Sequence, residues 1–292
     1  MIITYGSSTE RLARRTAEIG NLRVVEINRR LFPDGEQYLR LLGDVEGEDV
    51  AVFQSLGLNP DRSFMEYALL VDALKGAGCR SVTGVVPYLA YARQDRRFNK
   101  GEPLSAKIIA KLIESAGTDR IITIDMHLHR FRDINEVFDI PATNLTAMNL
   151  LAEYYANSHD ACNSVVVGPD GESEQWAKIV ADKLSARCHV LEKERLGDRE
   201  VQISDTASIQ GARAVLVDDM ISTGKTMIEV IIRLKAQGVR HVDALVTHSL
   251  MVDDAYPKLR GAGLSELIST DTVEGPQSLV SVAPVLAKAL KH

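Results

Sequence analysis

Only three cysteines occur in the 292 residues, Cys79, Cys162 and Cys188, and none belongs to a C-x-x-C pair. Three thiols cannot all pair within one chain, so a disulfide-stapled secreted scaffold is disfavoured and a reducing, cytoplasmic setting is expected. No window approaches the roughly 18 uninterrupted apolar residues of a membrane-spanning helix. The opening "MIITYGSSTE" has neither the basic region nor the apolar core of a secretory leader. Excess positive charge is missing too. Lys and Arg number 34 against 40 Asp and Glu, and the net charge of −6 argues against a general nucleic-acid surface while allowing a local basic pocket. Low-complexity segments and long polar linkers are also absent.

What is present is core material: 45% hydrophobic and 25% charged residues, in a chain long enough for two domains. Short β-rich apolar runs at 2–5, 24–27, 50–54, 82–87, 120–125, 164–168, 187–192, 213–218 and 242–248 alternate with helical patterns. That rhythm predicts an α/β fold whose central sheets are mainly parallel and flanked by helices. One helix is expected to start at Pro103, bury Leu104, Ile108 and Leu112, and stop at Gly117. A second places Met227, Val230, Ile231 and Leu234 on one face and ends at Gly238. A third is expected to be capped by Ser173 and to bury Trp176, Ile179, Val180 and Leu184. Residues 74–88 and 234–248 align without a gap, each reading as helix end, glycine and buried strand. This suggests two related α/β domains, 1–144 and 145–278, with the tail 279–292 packing back on the first.

The stretch "VLVDDMISTGKTM" (215–227) resembles a nucleotide P-loop at first sight. A P-loop needs glycine five residues before its G-K-[ST] glycine, and that position is Asp219, whose carboxylate would repel a triphosphate. The acids Asp218 and Asp219 instead arrive at the carboxyl end of a strand, where open parallel sheets place their ligands. Ser222, Thr223, Gly224, Lys225 and Thr226 then enter a helix whose free N–H groups favour a monophosphate. An acid pair that can accept hydrogen bonds from vicinal hydroxyls, followed by a phosphate cradle, describes a site for a phosphorylated sugar.

Further segments carry candidate chemistry. In "RLFPDGEQYLRL" (30–41), Asp34-Gly35 is a strong turn dipeptide between Phe32 and Glu36. A polar cluster of Arg93, Gln94, Asp95, Arg96 and Arg97 follows the strand at 82–87; by charge alone it could be a solvated face. The strand end "TIDMHLHRF" presents His127 and His129, a spacing a zinc hydrolase could use. "VVVGPDGESE" sets Asp170 after a buried strand. "LEKERLGDREVQI" carries Lys193, Arg195 and Arg199 among acids and could be an exposed charged hairpin.

Taken in order, these motifs closely resemble the ribose-phosphate diphosphokinase (phosphoribosyl diphosphate synthase) family. The resemblance implies two tandem type I phosphoribosyltransferase-like domains and transfer of the β,γ-diphosphoryl group of ATP to the 1-hydroxyl of ribose 5-phosphate. It assigns ATP to Arg93, Gln94 and Asp95, and to Phe32, Asp34, Gly35 and Glu36 reaching across a subunit contact, so that a homodimer or larger homo-oligomer is implied. Mg²⁺ is assigned to His127 and Asp170, and ribose 5-phosphate to Asp218, Asp219 and residues 222–226. Lys193 and Arg195 match a catalytic pair on a mobile loop. His129 receives no role, and "PDGES" departs from the frequent P-D-x-G-G pattern. A phosphoribosyltransferase would have the ribose loop without reason for the ATP-like segment. A metal-dependent hydrolase would use His127 and His129. A non-catalytic regulatory homologue would have lost the catalytic groups.

Overall fold

The computed structural model describes residues 1–128, 130–159, 161, 164–191, 193–196, 200–203 and 213–291, with the backbone alone for 193–196 and 200–203. Cys162, His129 and Arg199 lie outside the described residues. The chain divides into two compact units. The first comprises Met1–Leu145, Thr272–Glu274 and Val282–His292, the second Thr146–Asp271 and Gly275–Ser281. The expected return of the tail at 279 therefore begins at Val282, and residues 275–281 stay with the second unit.

The first unit runs β1 (Ile2–Tyr5), α1 (Glu10–Gly20), β2 (Arg23–Val24), β3 (Ile27–Leu31), β4 (Gln37–Leu41) and β5 (Asp49–Phe53). It continues with α2 (Pro60–Gly76), β6 (Ser81–Val85), α3 (Ser105–Ser115), β7 (Arg120–Ile124) and β8 (Ala142–Leu145). Its sheet has the order β2-β1-β5-β6-β7-β8, with every ladder parallel. The Val50–Phe53 run, Ile121, Ile122 and Ile124 are fully buried, as strands covered on both faces must be.

The second unit contains α4 (Met148–Ser158), β9 (Ser164–Gly168), α5 (Glu174–Leu184), β10 (Arg187–Val190), β11 (Lys193–Leu196) and β12 (Glu200–Ile203). There follow β13 (Arg213–Ile221), α6 (Lys225–Ala236), β14 (His241–Ser249), α7 (Ala255–Ala262), β15 (Glu266–Thr270) and β16 (Ser278–Val280). The terminal α8 (Ala283–Ala289) belongs to the first unit and packs on α1. The second sheet has the order β10-β9-β13-β14-β15-β16 and is parallel throughout.

Numbered within each unit, both sheets read 2-1-3-4-5-6. Both units also insert an antiparallel hairpin between their second and third sheet strands, β3–β4 in one and β11–β12 in the other. The aligned segments 74–88 and 234–248 occupy the same step in each, the helix end leading into the fourth strand, β6 or β14. One topology therefore serves twice.

Two helix expectations need correction. On α3 the buried row is Ala106, Ile109, Ala110 and Ile113, whereas Ile108 and Leu112 are exposed. The helix is apolar on more than one face, and only one of its two apolar rows is buried. On α5, Ser173 makes no side-chain cap; Asp170 caps the preceding 3₁₀ turn, accepting from the N–H groups of Glu172 and Ser173. Trp176, Val180 and Leu184 are buried as the period requires, with Ile179 half-buried beside them.

Close packing under β6 yields a stability prediction. A Cβ on Gly84 would collide with the hydroxyl of fully buried Tyr67, which is fixed by a 2.6 Å hydrogen bond to Thr118 Oγ1. Overpacking of this kind costs roughly 1–3 kcal/mol. Gly84→Ala is expected to lower unfolding stability by that amount in a denaturant titration, and an unchanged midpoint would show that the contact yields freely.

Candidate active site

The chemistry-bearing residues collect where parallel sheets place ligands, at the carboxyl ends of strands. In the second unit β13 delivers Asp218 half-buried and Asp219 buried. Burial, and the charges of Asp219 and Asp170, push the Asp218 carboxyl well above the usual carboxylate range. The Asp219 N–H also donates to Asp218 Oδ1 at 3.0 Å. Three carboxylates within mutual influence favour a cation or a hydroxyl-rich ligand. Asp219, expected beside Asp218 at the sugar, is 2% exposed.

After β13 the chain turns through Ser222 and Thr223 into Gly224, which adopts φ +74° as the residue before α6. Glycine is needed there because an L side chain resists that conformation. Ser222, Thr223 and Thr226 are half-buried and Lys225 is exposed at the first helical position. The loop is braced from the neighbouring strand: Leu250 N donates to Ile221 O at 2.9 Å and Val252 N to Ser222 O at 3.2 Å. A preorganised helix N-terminus with hydroxyls beside it suits a phosphate dianion.

The corresponding loops of the first unit are differently furnished. After β1, the Ser7 N–H and Oγ donate to Glu66 at 2.9 and 2.5 Å, and Gln54 Nε2 donates to the same carboxylate at 2.9 Å. Glu66 is 4% exposed, so the protein's own carboxylate fills the place a ligand anion would need.

Candidate ATP residues lie instead after β6 and β7. Arg93 is exposed, and Gln94 is anchored to α3: its Oε1 accepts from Ser105 Oγ at 2.8 Å and its backbone O from Ala106 N at 3.3 Å. Glu102 holds the following turn, accepting from Phe98 N at 2.7 Å and Asn99 N at 2.9 Å. Asp95 does not face solvent. Its side chain is 1% exposed and takes Arg130 Nη1 at 3.1 Å. His127 follows Asp125, a buried residue at φ +39°, and is half-buried itself. Asn144 Oδ1 ties this strand end by accepting from Met126 N at 2.9 Å and Thr123 Oγ1 at 3.1 Å.

Phe32 and Glu36 close the tip of the β3–β4 hairpin, with Gly35 at φ +96° and Phe32 N donating to Glu36 O at 2.8 Å. Asp34 Oδ1 accepts from Glu36 N at 3.2 Å, and Phe32 is 38% exposed. Arg30 covers both Phe32 and Tyr38, with its guanidinium carbon 5.1 and 4.8 Å from the ring centres. Lys193 and Arg195 occupy alternate positions of β11, paired with Ile203 and Val201. Arg130 and the bracing loop 250–252 do not stand out in the sequence. Only a positive-φ turn or a tertiary partner marks them, and neither has a local sequence pattern.

A parallel fold used twice, with an acid pair before a helix N-terminus, is the arrangement expected of the phosphoribosyltransferase-like class. A profile of the N-terminal domain of ribose phosphate pyrophosphokinase matches residues 1–117, and one of the phosphoribosyl transferase domain matches residues 133–259. The chain is 41% identical to the ribose-phosphate pyrophosphokinase of Methanosarcina acetivorans, covering 100% of both chains. It is 37% identical to that of Methanobrevibacter smithii, covering 99% of this chain and 100% of the relative. The crystal structure of phosphoribosylpyrophosphate synthetase from Mycobacterium smegmatis superposes with a TM-score of 0.89 at 31% identity, covering 99% of this chain and 97% of that one. The protein belongs to the ribose-phosphate pyrophosphokinase family.

Proposed function

We infer that the protein catalyses its family's reaction, transfer of the β,γ-diphosphoryl group of ATP to the 1-hydroxyl of ribose 5-phosphate, giving 5-phosphoribosyl 1-diphosphate and AMP. The observation that carries this reading is the acid pair and phosphate loop at 218–226, in a chain similar over its whole length to named pyrophosphokinases. Asp218 accepts hydrogen bonds from the ribose hydroxyls. Ser222, Thr223, Thr226 and the first N–H groups of α6 hold the 5-phosphate, leaving the anomeric hydroxyl free to attack the β-phosphorus. Arg93 and Gln94 hold ATP, and Lys193 and Arg195 neutralise charge that develops in transfer.

The acidic donor set at Asp218 and Asp170 fits a hard divalent cation, for which Mg²⁺ is the proposed choice. Among the described residues no group of three or more His, Cys, Asp or Glu side chains is gathered to hold a metal. Mg²⁺ is commonly bound through one or two carboxylates and substrate phosphates. His127 in the first unit and Asp170 in the second are each proposed as a Mg²⁺ contact, and bound Mg²⁺ would neutralise phosphate charge.

Exposed Phe32 at the hairpin tip supports a role for residues 32–36 at a partner's ATP, and hence a homodimer or larger homo-oligomer. Cys79 and Cys188 are free thiols, in keeping with a cytoplasmic location, and no helix among the described residues is long and apolar enough to cross a membrane. Incubation with Mg²⁺, ATP and ribose 5-phosphate is expected to yield AMP and phosphoribosyl diphosphate in equal amounts, resolved by anion-exchange chromatography. Neither product forming across a range of phosphate concentration and pH would sink this reading and favour a non-catalytic homologue.

A further inference from the structure

The ion pair between Asp95 and Arg130 joins the two loops that carry the proposed ATP and metal contacts of the first unit. Asp95 follows Arg93 and Gln94 in the loop after β6; Arg130 follows His127 in the loop after β7. The Asp95 side chain is 1% exposed, and Arg130 Nη1 reaches both carboxylate oxygens, at 3.1 and 3.3 Å. A carboxylate this deeply enclosed requires a cationic or hydrogen-bonding partner, and stripping that partner away leaves a charge that the surrounding loop must rearrange to solvate.

The Arg130 side chain stays 36% exposed, and its guanidinium lies over Phe98, the carbon 5.5 Å from the ring centre. Arg96 approaches the same ring at 4.6 Å. Two cations on one exposed phenyl ring normally repel. Cation–π attraction and the Asp95 charge offset that repulsion here. The arrangement thus fixes Phe98 and Arg96 as well as the backbone of residues 93–95, while Glu102 secures the far side of the turn.

We propose that Arg130 is a positioning residue for ATP: through buried Asp95 it locks the Arg93–Gln94 segment to the His127 loop, so that both present their side chains in one fixed arrangement. This rests on the reading that Arg93 and Gln94 contact ATP. Arg130 has no need to touch the nucleotide. Its effect is to remove the ordering that binding would otherwise have to supply.

The test compares Arg130→Gln, Arg130→Lys, Asp95→Asn and the double variant Asp95→Asn/Arg130→Gln, each alongside Arg93→Ala. Arg130→Gln is expected to raise KM for ATP about ten-fold or more, the scale of a lost buried partner, while KM for ribose 5-phosphate stays within about two-fold. Arg130→Lys should recover part of the loss. The double variant should be less impaired than Arg130→Gln alone, because it removes the uncompensated carboxylate as well.

Equal rises in both KM values, or strictly additive effects in the double variant, would overturn the proposal. If Arg130→Gln does not fold, the Arg130→Lys and double variants carry the same comparison. An unchanged KM for ATP in Arg93→Ala would instead remove the ATP reading on which the proposal stands. A raised value in Arg93→Ala with none in Arg130→Gln would reject the positioning role alone.

Discussion

Lys193→Ala is expected to lower kcat by roughly 10³-fold, the scale of losing a cation that acts on a transferring phosphoryl group. Affinity for ribose 5-phosphate, measured by calorimetry, should hardly change. The split follows from where charge develops. Ground-state sugar phosphate is proposed to be held by the loop at 222–226, whereas negative charge shifts onto the bridging and leaving oxygens only as the β-phosphorus is transferred. A donor on the β11–β12 hairpin can serve that moment by closing after the substrates are bound. The hairpin is inserted between the second and third sheet strands, outside the packed sheet. Arg195→Ala should behave alike, and the double variant should fall short of the product of the two effects if they act on one charge. Weakened sugar-phosphate binding with kcat preserved would show that the hairpin grips the ground state.

Much of the fold is legible in the sequence because periodicity and punctuation are local. The apolar runs that become β1, β5, β6, β7, β9, β13 and β14 stand out against their flanks, and buried parallel strands leave that mark. The expected strand at 24–27 instead splits into β2 and β3, which belong to different sheets. Nothing in "VVEI" marks the break; it is made where the chain leaves the sheet to build a hairpin. β4 and β8 escape detection because half-exposed, polar strands such as "QYLRL" and "ATNL" lack an unbroken apolar run. On α3 the sequence offers two apolar rows, and only packing selects which of them is buried.

The site divides the same way. Asp218 and the turn through Gly224 can be found because they form one contiguous segment in which acids, small residues and a helix start have fixed spacing. Asp95 lies in the expected loop, but its partner in the structure is Arg130, 35 residues away, which no local pattern announces. The role of Glu66 at the loop after β1 is invisible for the same reason, since its carboxylate comes from the middle of α2. Pairings across a sheet's loops depend on topology, and topology is not written in any one stretch.

Asp218→Asn is expected to make the ligand-free protein more stable while reducing catalysis by about 10²-fold or more, the scale of losing a preorganised polar contact at the reacting sugar. The Asp218 carboxyl is held above its ordinary range by burial, then by Asp219 and by Asp170. An acid whose folded-state pKa exceeds its unfolded value binds its proton more tightly when folded. Its ionisation therefore destabilises the fold progressively as pH rises from the unfolded value, near 4, through the folded one, and the penalty is constant above it. An amide carries no such penalty. The stability advantage of Asp218→Asn should be absent at acid pH, grow across that interval and then level off, as read from Tm at several pH values. Catalysis should move the other way in the native protein, rising as Asp218 loses its proton, because the ionised form accepts hydrogen bonds from both ribose hydroxyls. Mg²⁺ with ribose 5-phosphate should draw the carboxyl down and release a proton, detectable as a buffer-dependent heat of binding. An advantage that ignores pH would mean Asp218 is already relieved of its neighbours' charge. The repulsion would then have no part in preparing the site for its cation and sugar.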